Sequence, residues 1–387
     1  MPFFNPLSEA FGLDIGDRTF KLVQVAKKGH KNDAPRLVAW GSIDVPEGIM
    51  DRGDIKDVDK AVERVTTLLK SAKGKVTGRA VVACLPEAKT FIKIIEVKKD
   101  SSVDEQRKAV VGEIERNIPL PLSEIYFDWQ IVDDASDLVP TAVPSPDAKP
   151  TTITEPANAP QLSARIIIGA APKSLVDDYT ALLEKAGLAP LALEIEAMAI
   201  ARAIVPEGEH HDDAVGILDI GATRSSLVIS DVGALRMSIS IPISGIAITK
   251  MVSDALQVSM DDAETLKREC GLDAERCEDK MWKIIQPLID DMSDKIRNAL
   301  RFYKIGFPDG KKIERVYLCG GGAKFHEIDS VLSRMLTIQV FRGNALVNLD
   351  QRLPKDFATE DSLQYATAIG LGLRASEENA RQKGPLS

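Results

Sequence analysis

Cysteine, aromatic residues, basic runs and long apolar stretches are all scarce in this sequence, and each scarcity removes a class of protein. There are 4 cysteines in 387 residues, at Cys84, Cys270, Cys277 and Cys319, and no CxxC pair. The 4 histidines include one adjacent pair, His210-His211, in a polar stretch. Neither set has the spacing of a zinc site or the density of a disulfide framework, so all four cysteines are expected as small core or surface residues in a reducing compartment. No run of about 18 apolar residues occurs, which argues against a transmembrane helix. Met1 to Ala10 lacks the basic and apolar segments of a secretion signal, and the chain is expected to stay in the cytoplasm. Dense Lys/Arg runs are absent and the net charge is −9. Phosphate backbones and anionic lipid surfaces need a clustered cationic face, so no nucleic-acid partner is expected. There is no GxxxxGK[ST] loop and no GxGxxG after a strand, which disfavours P-loop and Rossmann folds.

What is present is a chain long enough for two or more compact units, with the apolar and charged content of a globular protein. Gly12–Val25 reads as strand, tight turn and strand, with Val38–Val45 continuing the meander. Helical spacing at Val58, Val62, Val65, Leu68 and Leu69 is followed by a buried strand at Arg79–Leu85. A second unit then begins: a strand at Thr90–Val97, a helix capped by Ser101 or Ser102 and stopped by Pro119 and Pro121, and strands at Ile125–Val132 and Arg165–Ala170. Between those strands, Asp133–Leu162 is rich in Pro, Thr, Ala and Ser and is expected to be a flexible hairpin loop. A helix at Lys173–Ala186 closes on Gly187. Leu191–Val205 passes from strand to helix. Val215–Ser230 repeats the strand–turn–strand block, and Ala234–Ile241 adds a strand. Helices are expected at Ile246–Gln257, Ser259–Cys270 and Trp282–Lys304. A strand at Arg315–Cys319 enters Gly320-Gly-Gly322, followed by a helix at His326–Met335, a strand at Thr337–Phe341, a final helix over about Ser362–Arg374 and a frayed polar tail after Ala375.

The function-bearing feature is an internal duplication. GLDIGDRTFKLVQV (Gly12–Val25) resembles ILDIGATRSSLVIS (Ile217–Ser230), so that Asp14 matches Asp219 and Gly16 matches Gly221. Each copy is an apolar strand ending in Asp-Ile-Gly, a short polar turn and an apolar return strand. Glycine permits a sharp turn whose N–H groups converge on an anion. The aspartate repels phosphate directly but can hold a hydrated Mg²⁺ that bridges to phosphate oxygens. Two such hairpins facing each other could clasp a triphosphate, with Asp14 and Asp219 on the metal's water shell and Gly16, Asp17, Gly221, Ala222 and Thr223 supplying amides. Lys21, on the first return strand, is a candidate phosphate ligand or a solvated edge residue. The third element is the glycine turn: Gly320, Gly321, Gly322 and Ala323 let the chain pass close to a nucleoside. Glu196 is the candidate to orient an attacking water, or else a helix cap, with Glu194 expected on the same strand face.

These three elements, in this order, resemble the two phosphate motifs and the adenosine motif of the actin-like ATPase superfamily. Asp262–Arg268 resembles the helix that places Glu264 and Lys267 against ribose and adenine. Pro242-Ile-Ser-Gly245 resembles the turn near the phosphates, and Gln364–Gly372 resembles the second connecting helix. Within the superfamily the chain most resembles the PilM family of type IV pilus assembly, over about Phe11–Arg374. The most specific features lie in Val110–Val132 and Arg165–Ile204.

The resemblance implies an α/β, actin-like (ribonuclease H-like) fold with duplicated domains around a central nucleotide cleft and an inserted small α+β subdomain. Residues 11–88, 188–210 and 355–375 would form subdomain 1A, 89–187 the inserted 1C, 211–250 and 312–354 subdomain 2A, and 251–311 the helical 2B. It also implies ATP and Mg²⁺ as cofactors and, as partner, the N-terminal cytoplasmic peptide of a PilN-like membrane protein that holds the chain at the inner face of the membrane. Pilus motor ATPases and self-association are further candidate partners, and a slow ATPase is compatible with this set. Two other readings stay open: a small-molecule kinase of the same superfold, and an FtsA- or MreB-like filament former. Against FtsA, the tail after Ala375 lacks a basic amphipathic helix. Phe3, Phe4, Leu7 and Phe11 could form a short apolar face that packs on the body.

Overall fold

In the computed structural model, which describes residues 10–26, 34–98, 101–134, 163–207, 214–231, 234–273, 275–308 and 310–383, the apolar run Phe11–Ile15 (β1) is buried along its whole length. It pairs antiparallel with Thr19–Ala26 (β2). Arg36–Asp44 (β3) continues the meander. A short hairpin, Met50–Asp51 (β4) with Asp54–Ile55 (β5), leads to Val58–Ser71 (α1), whose N-cap Asp57 accepts the Lys60 amide. Lys73–Gly74 (β6) edges the sheet, and the wholly buried Ala80–Leu85 (β7) lies parallel to β1.

Phe91–Lys98 (β8), Val103–Asn117 (α2), Ile125–Asp134 (β9) and Ser163–Pro172 (β10) make a separate compact unit, Phe91–Pro172. Its antiparallel sheet runs β8-β10-β9, and Val97, Ile125, Ile166 and Ile168 pack with Val110 and Ile114 of α2 into a core of its own. The capping box expected at the start of α2 is present: Ser102 accepts the Glu105 amide and the Glu105 carboxylate accepts the Ser102 amide. The expected insertion ran over 89–187, but Lys173–Lys185 (α3) packs on α1, β5, β7 and the following Ala189–Ile195 (β11), all in the larger unit.

The larger unit carries the duplication in its topology. Glu196–Ile204 (α4) leads to Ala214–Ile220 (β12), Ser225–Asp231 (β13) and Ala234–Ile241 (β14). Helices Gly245–Leu256 (α5), Met260–Cys270 (α6) and Lys280–Gly306 (α7) precede Ile313–Cys319 (β15), Ile328–Leu336 (α8) and Gln339–Arg342 (β16). The sheets run β11-β7-β1-β2-β3-β6 and β14-β13-β12-β15-β16. Each is an antiparallel three-strand meander whose first strand is flanked by two parallel strands. The registers repeat as well, Leu13 opposite Leu22 and Leu218 opposite Leu227.

A 3-10 turn, Thr359–Tyr365, then opens Ala366–Lys383 (α9). Helix α9 crosses α4 so closely that a Cβ on Gly370 would stand 1.8 Å from the Ala199 carbonyl oxygen.

Three expectations need correction. Cys270 and Cys277 form a disulfide, with Cα atoms 5.7 Å apart at a sequence separation of 7. Gly271, at φ +61, reverses the chain after α6 and brings them together, a conformation that spacing alone does not announce. The final helix runs to Lys383 instead of fraying after Ala375, because Ser-Glu-Glu-Asn-Ala-Arg-Gln-Lys contains no breaker and is mostly good helix formers. Glu194 does not share a face with Glu196, because β11 ends at Ile195 and Glu196 is the first residue of α4. Glu194 instead forms a bidentate pair with Arg202 (2.6 and 2.8 Å) and a contact with Arg374 (3.1 Å). The readings of Phe3, Phe4, Leu7, His210-His211 and of 135–162 within the Asp133–Leu162 loop lie outside the described residues. Phe11 is fully buried in β1.

Candidate functional site

The two Asp-Ile-Gly hairpins close in the same way. Gly16 N–H donates to the Thr19 carbonyl (3.2 Å) and Gly221 N–H to the Arg224 carbonyl (2.9 Å). A Cβ at either glycine would strike that same carbonyl oxygen, at 2.9 and 2.7 Å. The glycines are therefore required by the turns, and their amides are already used there. That corrects the expectation that Gly16 and Gly221 offer N–H groups to an anion. Among the described residues, the amides of Asp17, Ala222 and Thr223 at the hairpin tips donate to nothing.

The hairpins meet. Thr223 Oγ1 donates to Asp17 Oδ2 (2.7 Å), while Asp17 Oδ1 accepts the Gly53 amide (2.8 Å). Tyr179 Oη donates to the Gly53 carbonyl (3.0 Å). An open cavity of about 400 Å³ borders both Asp17 and Thr223.

Behind the tips lie the carboxylates. Asp14 is buried and accepts from Lys21 Nζ (3.3 Å), its cross-strand partner in the β1–β2 register. Lys21 thus points into the cleft and is not a solvated edge residue. Burial and the nearby Asp14 push Asp219 up to about 6, against the pull of Lys21 and Arg224. Burial, Asp14 and Asp219 push Glu196 up to about 8. These shifts place Asp14, Asp219 and Glu196 in one self-repelling group.

Two thiols complete it symmetrically: Cys84 Sγ lies 3.6 Å from Asp14 Oδ1, and Cys319 Sγ lies 3.6 Å from Asp219 Oδ1. Each cysteine sits on the strand parallel to its aspartate's own, and burial raises both thiols well above their ordinary range. No three His, Cys, Asp or Glu side chains among the described residues converge to ligate an ion directly. Asp14 and Asp219 repel one another, and a cation between them would relieve that repulsion.

In the second half, Gly320 lies against Asp219: at φ +79, its Cβ would stand 2.2 Å from Asp219 Oδ1. Gly322 packs the same way on Ile220, and Ala323 is fully buried. Gly321 alone of the four faces open space, so it is the one whose missing side chain leaves room for a flat ligand. Gly245 N–H donates to the Gly221 carbonyl (3.0 Å) and ties the start of α5 to the hairpin. Lys267 Nζ reaches the Gly245 carbonyl (3.2 Å), Thr249 Oγ1 (2.9 Å) and Glu264 Oε2 (2.6 Å). Both residues of that motif therefore face α5 and the hairpin.

Besides Cys84 and Cys319, two more site residues had no sequence signal. Glu87, just after β7, accepts from Ser238 on β14, and burial raises its carboxyl while Ser226 and Arg224 hold it down. Arg224, in the second turn, acts electrostatically on Glu87, Glu196 and Asp219.

A family model described as type IV pilus assembly protein PilM matches residues 12–145 and 147–376. The chain belongs to this family. A solved PilM–PilN type IV pilus biogenesis complex superposes at TM-score 0.76 with 24% identity, over 95% of this chain and 98% of that one. MreB5 of Spiroplasma citri bound to ADP superposes at TM-score 0.51 with 11% identity, over 98% of this chain and 100% of that one. These likenesses establish the actin-like fold for this PilM-family chain. Cell division protein FtsA of Bacillus subtilis is 22% identical over 275 residues, 67% of this chain and 57% of that protein, so the match spans little more than half of that relative. No helix among the described residues is long and apolar enough to cross a membrane.

Proposed function

We propose that this chain binds ATP with magnesium between its two hairpins and uses it as a conformational switch within an adaptor of the type IV pilus machinery. The observation that carries the reading is the facing pair of Asp-Ile-Gly hairpins, joined by Asp17 and Thr223, with Gly320 packed on Asp219.

In this reading the free amides of Asp17, Ala222 and Thr223 bind phosphate oxygens, and Asp14 and Asp219 orient the water shell of the metal. Magnesium, when bound, supplies the positive charge that lets carboxylates and phosphates share the cleft. Gly321 leaves room for the nucleoside, with Glu264 and Lys267 beside it at Gly245. Glu196 is the residue to orient a water for hydrolysis. Burial and the charges of Asp14 and Asp219 push its carboxyl up to about 8, and a cation bound at those two carboxylates would draw it back down towards a working base. The division of the chain into subdomains 1A, 1C, 2A and 2B belongs to the same proposal.

The partner in this reading is the short cytoplasmic tail of a PilN-like membrane protein, supported by family membership and by the fold shared with the PilM–PilN complex. The chain would then sit at the inner face of the membrane through that partner. Pilus motor ATPases and a second copy of the chain are further candidates.

Calorimetry with MgATP and MgGTP, on the wild-type protein and on the Asp14→Ala, Asp219→Ala double variant, tests the nucleotide claim. Wild-type heat that the double variant lacks is the expected result, and no heat from folded wild-type protein ends the claim. Anisotropy of a labelled PilN-type tail peptide, with and without MgATP, tests the adaptor claim. Phosphate release stimulated by a sugar or carboxylate would move the reading to a kinase.

A further inference from the structure

The two hairpins are alike where their sequences agree and polarised where they differ. Arg224 stands in the second turn where the first has Thr19, because both residues supply the carbonyl that closes their turn. That hydrogen bond fixes the Arg224 backbone at the rim of the cleft. Its side chain is half-buried, and it is the one site cation among the described residues without an ion pair or a hydrogen bond. Lys21 is held by Asp14, and Lys267 by Glu264, Thr249 and the Gly245 carbonyl.

Arg224 also spans the cleft. A Cβ built on Gly53 would lie 3.8 Å from its Nη2, although Gly53 belongs to the first half. The Gly53 amide is bound by Asp17, which accepts from Thr223, the neighbour of Arg224. The guanidinium therefore sits at the seam where the hairpin tips meet. It is near enough to act on Glu87, Glu196 and Asp219, yet within ion-pair distance of none of them. A free planar fork beside unused amides is a receptor for a tetrahedral dianion, provided the metal offsets the neighbouring carboxylates.

Resting on the nucleotide reading above, we propose that Arg224 is the ligand of the terminal phosphate and makes the site prefer nucleoside triphosphate over diphosphate. The nucleoside is held by the second half, at Gly321, Glu264 and Lys267. The last phosphate is then the group that reaches the seam, and it is the only part of the ligand a diphosphate lacks. Arg224 would bridge it to the Gly53–Asp17 corner, so the presence of that one phosphate is felt by both halves.

The test is calorimetric titration of the full chain with MgATP and with MgADP, and a thermal-shift titration with inorganic tripolyphosphate, for wild type, Arg224→Gln and Arg224→Lys. Arg224→Gln is expected to weaken MgATP roughly 10- to 100-fold, the range for a lost charge-assisted hydrogen bond, and to change MgADP by less than about 3-fold. The tripolyphosphate shift should shrink, and Arg224→Lys should recover part of the ATP preference by charge without the fork. Equal weakening of ATP and ADP, or no change in either, overturns the inference while leaving nucleotide binding intact. A wild-type protein that binds neither nucleotide defeats the underlying reading instead. If Arg224→Gln fails to fold, the lysine variant alone decides: undiminished ATP preference there refutes the role of the guanidinium fork.

Discussion

The three glycines after β15 look alike in sequence and do different things. Gly320 occupies a backbone region reserved for glycine, and its Cβ would enter the Asp219 carboxylate. Gly320→Ala should cost about 3 kcal/mol or more in chemical denaturation. Gly321 meets nothing within 4 Å, so Gly321→Ala should leave stability within about 0.5 kcal/mol and yet weaken nucleotide binding in the same calorimetry. A second residue-scale expectation concerns the seam. Single Asp17→Ala and Thr223→Ala changes each remove the same hydrogen bond, so a double-mutant cycle in urea should return a coupling of about 1 kcal/mol. A coupling near zero would mean the bond contributes nothing in solution.

Legibility at this scale followed repetition. Asp14 and Asp219 could be found because the same tripeptide occurs twice, and Lys21 faces Asp14 because an antiparallel register puts it opposite. Cys84, Cys319, Glu87 and Arg224 could not be found. The cysteines meet the aspartates only through parallel pairing with strands far along the chain. The spacing between the two cysteines differs from that between the two hairpins, so no single shift of the sequence aligns both pairs.

Among the elements, α2 offers a titration with a defined sign. Arg116, Lys93 and Asn117 all donate to Glu113, and the first two hold its carboxyl down at about 2 despite burial. In the unfolded chain Glu113 titrates near the usual glutamate value of about 4.3. The pair's stabilisation is therefore fully present above that value and is lost as pH falls towards about 2. Glu113→Gln should lower the unfolding midpoint most at neutral pH, with the gap from wild type closing steadily below about pH 4.3. A gap independent of pH would assign the loss to packing.

Periodicity, caps and breakers placed nearly every strand and helix, since those signals are local. It was less informative at ends, where α9 ran on through a charged segment of high helix propensity. It was silent on Cys270–Cys277, which depends on a left-handed glycine.

For the whole molecule, the duplicated topology explains why a fold of this size could be read at all: one half predicts the other. The span Phe91–Pro172 is an independent addition, with its own sheet, helix and core. Its entry and exit are adjacent, because Phe91 pairs with Ala170 at the start of β8. Replacing 91–172 by a short Gly/Ser linker should therefore leave a folded remainder that unfolds in one cooperative transition and binds MgATP with unchanged affinity. Aggregation, or loss of nucleotide binding, would show that the larger unit depends on the insertion.

The contact of Gly370 with the Ala199 carbonyl bears on how such a molecule moves. Two backbones that touch with no side chain between them cannot slide along one another without collision, but they can tilt. The crossing of α4 and α9 is thus a point of fixed register between the helix that precedes the second hairpin and the helix that ends the described chain. A single methyl there would have to push the two helices apart, a cost borne by the packing between the hairpins before any ligand is met.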